Sequence, residues 1–268
     1  MHVHSEYDMP SGLRNAFGQL CGNELLALLD GDQLRRCLAS SKVRSFTSGQ
    51  DLTDFDPNGQ LAFFIESGLV FEIEQLLDRE IATRCIGLEG VSACSLFRGK
   101  SNQRSLCVSN VEAVCVPRDV FVQLTAESPS FNRTISRYLQ RVFTEMAECL
   151  LTTAHLTVEQ RLARLLDLSF QRAKTDTLAM SHVQLASLLG VRRAGITVAL
   201  HLLEGELAIR SHRCRIQLRD GNRLRELWRG EDAAATSLKA LQPEADHEFM
   251  RTEDTGTRRS VRALDFEE

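Results

Sequence analysis

Residues 181–205, SHVQLASLLGVRRAGITVALHLLEG, constrain the fold more tightly than any other stretch of the chain. They read as two short helices joined by a tight turn. The Ser181 hydroxyl can cap the first helix and Gln184, three residues on, can return the bond, which makes a capping box. Val183, Leu185, Leu188 and Leu189 give that helix an apolar face at helical spacing. Gly190 stops it, as glycine does where the backbone turns left-handed. In the second helix Ile196, Ala199, Leu200 and Leu203 point inward, and Arg193, Thr197 and His201 recur every four residues on another face. A helix that offers guanidinium and hydroxyl groups near its N-terminal end fits a DNA major groove, where that end reaches base edges. A helical hairpin with an ordinary solvated face satisfies the same spacing. The next residues discriminate: Leu207–Arg210 (LAIR) and Arg215–Leu218 (RIQL) are strand-like runs joined by Ser211-His212-Arg213-Cys214. A helix-turn-helix followed at once by a basic-tipped hairpin is a winged helix, with the wing placed to touch phosphate.

Charge is distributed to match. The whole chain carries −4, yet residues 155–229 hold 13 Lys/Arg against 7 Asp/Glu, a local net of +6. The segments on either side are each acidic, at −5. Only one segment therefore has the positive field that phosphate binding needs.

At 268 residues the chain has room for two domains. It has no run of the roughly 20 uncharged apolar residues a membrane span needs, and MHVHSEYDMP lacks a signal pattern, so a cytoplasmic protein without a membrane partner is expected. The eight cysteines form no Cys-x-x-Cys pair and read as small reduced hydrophobes. A helical pattern broken at Gly31 spans about residues 24–40. KVRSF, QLAFFIESG, LVFEIEQ, IATRCIG, QRSLCVS and VEAVCVP then read as short strands, bounded by breakers such as Asp56-Pro57-Asn58-Gly59, and predict an all-β roll, sandwich or barrel. At Ser128-Pro129 a cap and a first-turn proline open a long helix. Along it Ile135, Leu139, Val142, Met146, Cys149 and Thr153 step by four and three, the spacing of a coiled-coil seam, and they are the expected dimer interface. Phe131, Tyr138, Phe143 and Leu150 form a second stripe suited to packing on the β-domain. Thr157 with Gln160 caps the next helix, whose core face is Leu162, Leu165, Leu166 and Phe170. From Gly230 onward the chain is polar and rich in both charge signs, like an unstructured tail.

A β-roll, a seam helix and a winged helix-turn-helix, in that order, resemble the Crp/Fnr family of bacterial transcription regulators. The resemblance spans about residues 20–228 and is carried by HLTVEQRLARLLDLSFQR, LASLLGVRRAGITVALHLLEGE and LAIRSHRCRIQL. SGLVFEIEQ, IGLEGV and VEAVCVPRDVF add to it. LLGVRRAGIT together with EGV looks like a subgroup common in soil-dwelling and plant-associated α-proteobacteria. The implied fold class is α+β, with a cyclic-nucleotide-binding-like roll, a dimerisation helix and a winged helix-turn-helix. The implied boundaries are a disordered N-terminus at 1–20, the roll at 21–127, the long helix at 128–154, the DNA-binding domain at 155–229 and a disordered charged tail at 230–268. The implied function is a homodimeric regulator that binds a palindromic operator in double-stranded DNA, with RNA polymerase as a further partner. Ser181, Arg192, Arg193, Ala194, Thr197, Val198 and His201, with Arg213 and Arg215 in the wing, are the expected DNA-contacting residues. Well-known members have Glu and Arg where this chain has Ala194 and Val198, so their preferred DNA sequence does not transfer.

The resemblance also raises an effector site. Family binders of cyclic nucleotides use a Gly-Glu pair and an Arg-Ser or Arg-Thr pair. This chain has Arg104-Ser105, but Ser92-Ala93 stands in the Gly-Glu place, with Glu89 nearby. Glu89, Arg104 and Ser105 are the candidate pocket, and cyclic AMP or cyclic GMP is expected not to bind tighter than about millimolar. The cysteines lack the close spacing of an iron–sulfur site, the histidines lack ligand spacing, and no cofactor or metal is expected. Thiol sensing through Cys149 or Cys214 remains an alternative to inert thiols. An enzyme is not expected: the chain has no glycine-rich phosphate loop, nucleophile elbow or His-Glu-x-x-His run, and Glu145 with Glu148 reads as solvated helix surface. The competing class is a ligand-binding or protein-interaction module with a vestigial DNA-binding domain.

Overall fold

The computed structural model describes residues 22–76, 79–93 and 103–229. The expectations of disorder at 1–20 and 230–268 lie outside these residues, as do Cys21 and Cys94. Two short helices open the described chain, α1 (Glu24–Ala27) and α2 (Gly31–Ala39). Asn23 caps α1, and its amide also donates to Ile65 O at 2.9 Å and Gly90 O at 2.8 Å, which ties the helix to the strands. Asp30 and Gln33 close a capping box on α2.

The strands follow as β1 (Lys42–Phe46), β2 (Leu61–Ser67), β3 (Val70–Leu76), β4 (Arg79–Ile86), β5 (Val91–Ser92), β6 (Gln103–Cys107) and β7 (Val111–Pro117), with a short α3 (Leu52–Phe55) after β1. They form two antiparallel sheets, ordered β1-β7-β2-β5 and β4-β3-β6. Side chains alternate across each strand, so each sheet buries two different sets. Phe63, Ile65, Val70, Ile86 and Val111 meet between the sheets. Phe64, Val114 and Val116 face outward from the first sheet and are covered by α2, by α4 (Arg118–Glu127) and by α5 (Pro129–His155). Phe71, Ile73 and Cys85 face outward from the second sheet. Their cover is the C-terminal domain.

That domain comprises α6 (Val158–Ala173), β8 (Thr177–Leu178), α7 (His182–Leu189), α8 (Arg193–Gly205), β9 (Ile209–His212), β10 (Arg215–Leu218) and α9 (Gly221–Arg229). Leu162, Leu166, Phe170, Leu185, Leu188 and Leu189 join Phe71, Ile73 and Cys85 in one continuous apolar cluster. The layers therefore run helices, sheet, sheet, winged helix. Trp228 on α9 donates its Nε1 proton to buried Asp167 of α6 at 3.1 Å, which closes the domain on itself.

The 27-residue α5 starts where expected: Ser128 Oγ accepts from Phe131 N at 3.3 Å and Pro129 occupies the first turn. Its faces differ from the sequence expectation. Ile135, assigned to the seam, is 3% exposed inside the cluster with Phe121, Phe131 and Tyr138. Cys149 also turns inward, with its Sγ 3.6 Å from Ala82 O of β4. Both are already covered by the protomer. Conversely, Phe143 and Leu150, expected to pack on the β-domain, are 76% and 72% exposed. Leu139, Val142 and Met146 are half-buried at the border of the two faces. Among the described residues no single helix is long and apolar enough to cross a membrane.

Candidate nucleic-acid interface

Helices α7 and α8 meet at 106°, within the range of a helix-turn-helix. The turn is built locally. Ser181 Oγ accepts from Gln184 N at 3.2 Å while Gln184 Oε1 accepts from Ser181 N at 2.8 Å, a cap that stabilises the helix start by about 1 kcal/mol. Gly190 takes the left-handed conformation at φ 63°, so its amide reaches back to Ser187 O. Arg161 of α6 donates to Leu189 O and so fastens the last turn of α7. Burial lowers the pKa of that guanidinium.

Ile196, Ala199, Leu200 and Leu203 are each 2% exposed or less and anchor α8. Its other side carries Arg192, Arg193, Ala194, Val198 and His201, all exposed. Arg192 is the N-cap residue, and its side chain caps no amide. Thr197 is half-buried: its hydroxyl lies 3.1 Å from His182 Nδ1 and donates to Arg193 O at 3.3 Å. His182 was not singled out from the sequence, because its partner lies 15 residues away on another helix. His201 Nδ1 is 3.5 Å from Glu204, whose other oxygen accepts from Ser211 N at 2.6 Å and so links α8 to β9. Ser181 spends its hydroxyl on the cap.

The wing is a two-residue hairpin. His212 pairs with Arg215, leaving Arg213 and Cys214 at the tip with φ of 31° and 61°. Two successive positive φ values give the twist that suits a tight β-hairpin, at some strain for non-glycine residues. Arg213, Cys214 and Arg215 are exposed. Among the described residues Arg192, Arg193, Arg213 and Arg215 form no ion pair. Four unneutralised guanidinium groups thus lie along α8 and the wing.

Among the described residues the candidate effector residues are each held by partners of their own chain. Arg104 Nε lies 2.8 Å from Asp51 and its Nη1 2.8 Å from Glu80, and these bonds raise its pKa. Ser105 accepts from the Ser92 hydroxyl at 3.0 Å and donates its amide to Asp51 at 3.2 Å. Glu89 is engaged elsewhere, 3.2 Å from Arg172 of α6. The arginine expected to meet a phosphate is thus already met by two carboxylates of its own chain.

Glu145 and Glu148 also differ from expectation. Both side chains are 19% exposed, and they pair with Arg172 at 2.6 Å and Arg164 at 3.2 Å. They are interdomain ion pairs and not solvated helix surface.

Residues 160–227 match the Crp-like helix-turn-helix domain. Among curated proteins no relative matches. Solved structures with the same fold include a candidate transcriptional regulator of the Crp/Fnr family from Eubacterium rectale, 17% identical over 78% of this chain and 99% of that one, with a TM-score of 0.61. FixK2 from Bradyrhizobium japonicum is 18% identical over 72% of this chain and 99% of its own, also at 0.61. The c-di-GMP-responsive global regulator CLP of Xanthomonas campestris is 19% identical over 70% and 99%, at 0.56. The β-roll, long helix and winged helix described above are thus the fold of Crp/Fnr regulators, with a Crp-like helix-turn-helix domain at its C-terminal end.

Proposed function

We propose that this chain is a transcription regulator that binds duplex DNA sequence-specifically as a homodimer on a palindromic operator. The observation that carries the reading is the set of unpaired arginines on α8 and the wing, in a segment of net charge +6 that matches a Crp-like helix-turn-helix domain. Arg193 is placed to clamp a guanine through O6 and N7, while Ala194 and Val198 suit thymine methyls. Arg192, Arg213 and Arg215 are the phosphate holders, aided by the uncapped amides at the start of α8.

Dimerisation is supported by the apolar surface on α5. Phe143 and Leu150, seven residues apart, leave large side chains in water, and covering each contributes roughly 1.5–3 kcal/mol. Leu139, Val142 and Met146 at the edge of that surface extend the seam. A twofold axis along α5 would set two recognition helices about one helical turn (roughly 34 Å) apart. RNA polymerase as a partner, the cytoplasm as the compartment and the α-proteobacterial subgroup belong to the same proposal. An anionic effector at Arg104 does not, because Asp51 and Glu80 occupy that guanidinium.

Two measurements test the reading. Fluorescence anisotropy with a mixed-sequence duplex should give micromolar binding that weakens steeply with salt. No binding at low salt would favour the interaction-module reading. Replacing Phe143 and Leu150 with Glu should give a monomer on a sizing column and remove operator binding, whereas a variant that stays dimeric would refute this seam.

A further inference from the structure

We propose that Arg172 is a positioning residue for DNA recognition. It fixes the winged helix on the β-roll so that α8 and the wing face outward. The proposal rests on the DNA-binding reading above.

Arg172 lies in the last turn of α6, yet among the described residues its guanidinium makes its hydrogen bonds and ion pairs outside its own domain. Nη1 donates to Cys85 O on β4, Nη2 lies 2.6 Å from Glu145 on α5, and Nε lies 3.2 Å from Glu89 in the turn between β4 and β5. Three nitrogens thus reach three elements outside the winged helix. The side chain is 13% exposed, and Glu145 and Glu89 are 19% and 18% exposed. Burial works against the charge on Arg172, and the Glu145 and Glu89 carboxylates outweigh it, so its pKa is raised and the cation persists. A planar fork meets this demand and a lysine ammonium does not.

The surrounding backbone is shaped for the contact. A Cβ on Gly87 would lie 2.5 Å from Arg172 O, so only glycine lets the β4–β5 turn come this close to α6. The IGLEGV segment therefore has a role that its sequence did not disclose. Glu89 O also accepts from Arg141 of α5 at 2.6 Å, and Tyr138 Oη binds both Val91 N and Val91 O. At the other end of the interface, Glu80 of β4 accepts from the Ser187 hydroxyl of α7 at 3.0 Å. Arg172 and Ser187 hold the domain at two points with the apolar cluster between them. Neither tie uses Arg192, Arg193, Arg213 or Arg215.

The test uses full-length protein without DNA, then with it. The sequence holds a single tryptophan, Trp228 on α9, so its fluorescence reports the winged helix alone while far-ultraviolet circular dichroism reports the whole fold. In the wild type the two signals should melt together. In Arg172→Met they should separate, and duplex affinity well below the melt should fall about tenfold, as the fraction with the correct orientation falls. The salt slope should stay unchanged, since no phosphate contact is lost. Arg172→Lys should recover only part of the loss, and Ser187→Ala should shift both readouts in the same direction by less. Should Arg172→Met fail to fold, the Ser187→Ala measurements decide. Coincident melts with unchanged affinity in the folded variants would overturn the proposal. If the wild type bound no duplex, the DNA reading would fall, while coincident or separate melts would still decide whether Arg172 joins the domains.

Discussion

The winged helix carries two populations of arginine, one held by glutamates of the long helix and one left in water. On the side toward the β-roll and α5, Arg164 and Arg172 are each 13% exposed and each pairs with a glutamate of the long helix. On α8 and the wing, Arg192, Arg193, Arg213 and Arg215 are exposed and unpaired among the described residues. The same residue type serves two ends, and the neighbouring carboxylates decide which. A guanidinium held by acids in a half-dry site joins elements and contributes no outward field. One left in water keeps its charge available for phosphate or a base edge. The glutamates that meet Arg164 and Arg172 lie on α5, outside residues 155–229, so the net charge of the segment does not register this division.

This contrast predicts that inner changes act on stability and on how the winged helix is held, while outer changes act on the contact with DNA itself. The largest effect belongs to Glu72, 1% exposed and 2.8 Å from Arg84, in the network that continues through Tyr138 and Glu145. Burial opposes the Arg84 charge, and Glu72, Tyr138 and Glu145 outweigh it and raise the pKa. Glu72→Ala removes the nearest counter-ion of that buried cation and should cost about 3–5 kcal/mol in a denaturant titration. Duplex affinity of the folded protein should remain as in the wild type. A loss of affinity at full stability would break the division.

Next in size, Arg193→Ala should weaken operator binding by about 1–3 kcal/mol and relax the preference at one position of each half-site. Its melting curve should match the wild type. Arg213→Ala should weaken every duplex alike and lower the salt slope by about one unit per protomer. If Arg213→Ala changed the sequence preference and Arg193→Ala did not, the wing would be the reading element.

Much of this arrangement was legible in the sequence, and the parts that were not share a cause. The caps at Ser128, Thr157 and Ser181 are local signals, and each helix starts where its cap puts it. The break expected at Gly31 falls just before it, since Gly31 is the first residue of α2, and the strand expected over Leu207–Arg210 runs instead over Ile209–His212. The rotation of α5 is not local. Its two apolar stripes share the same spacing, and an ideal helix drifts about 20° per heptad against a 3.5-residue repeat. Spacing alone could not say that Phe131, Ile135 and Tyr138 face the roll while Phe143 and Leu150 face water. The partners of Glu145 and Glu148 likewise lie 27 and 16 residues away, in a domain whose docking the sequence does not encode by pattern. Glu89 and Arg104 were grouped through resemblance, but each found its own counter-ion nearer at hand.

The smallest predicted effect carries the inner–outer contrast over to the thiols. Cys85 is buried beside Arg172, and burial pushes its thiol up to about 12 despite that cation. Cys37 and Cys107 are pushed up to about 12 and Cys115 to about 11, again by burial. A raised folded-state value means that these thiols keep their protons in the native protein. The stability tied to them is complete below the unfolded value near 8.5 and is lost as the pH climbs from there toward 12. Raising the pH from 7 to 9 should therefore not speed iodoacetamide labelling of Cys85 in the folded protein, since the thiolate is the nucleophile. Cys214, exposed at the wing tip, should label first among the described cysteines. Cys214→Ser should change duplex affinity by less than about 0.5 kcal/mol, the range of surface substitutions, because phosphate contact is assigned to its arginine neighbours. Rapid labelling of Cys85 at pH 7 would show that the inner face opens in solution, and the fixed orientation assigned to Arg172 would have to be abandoned.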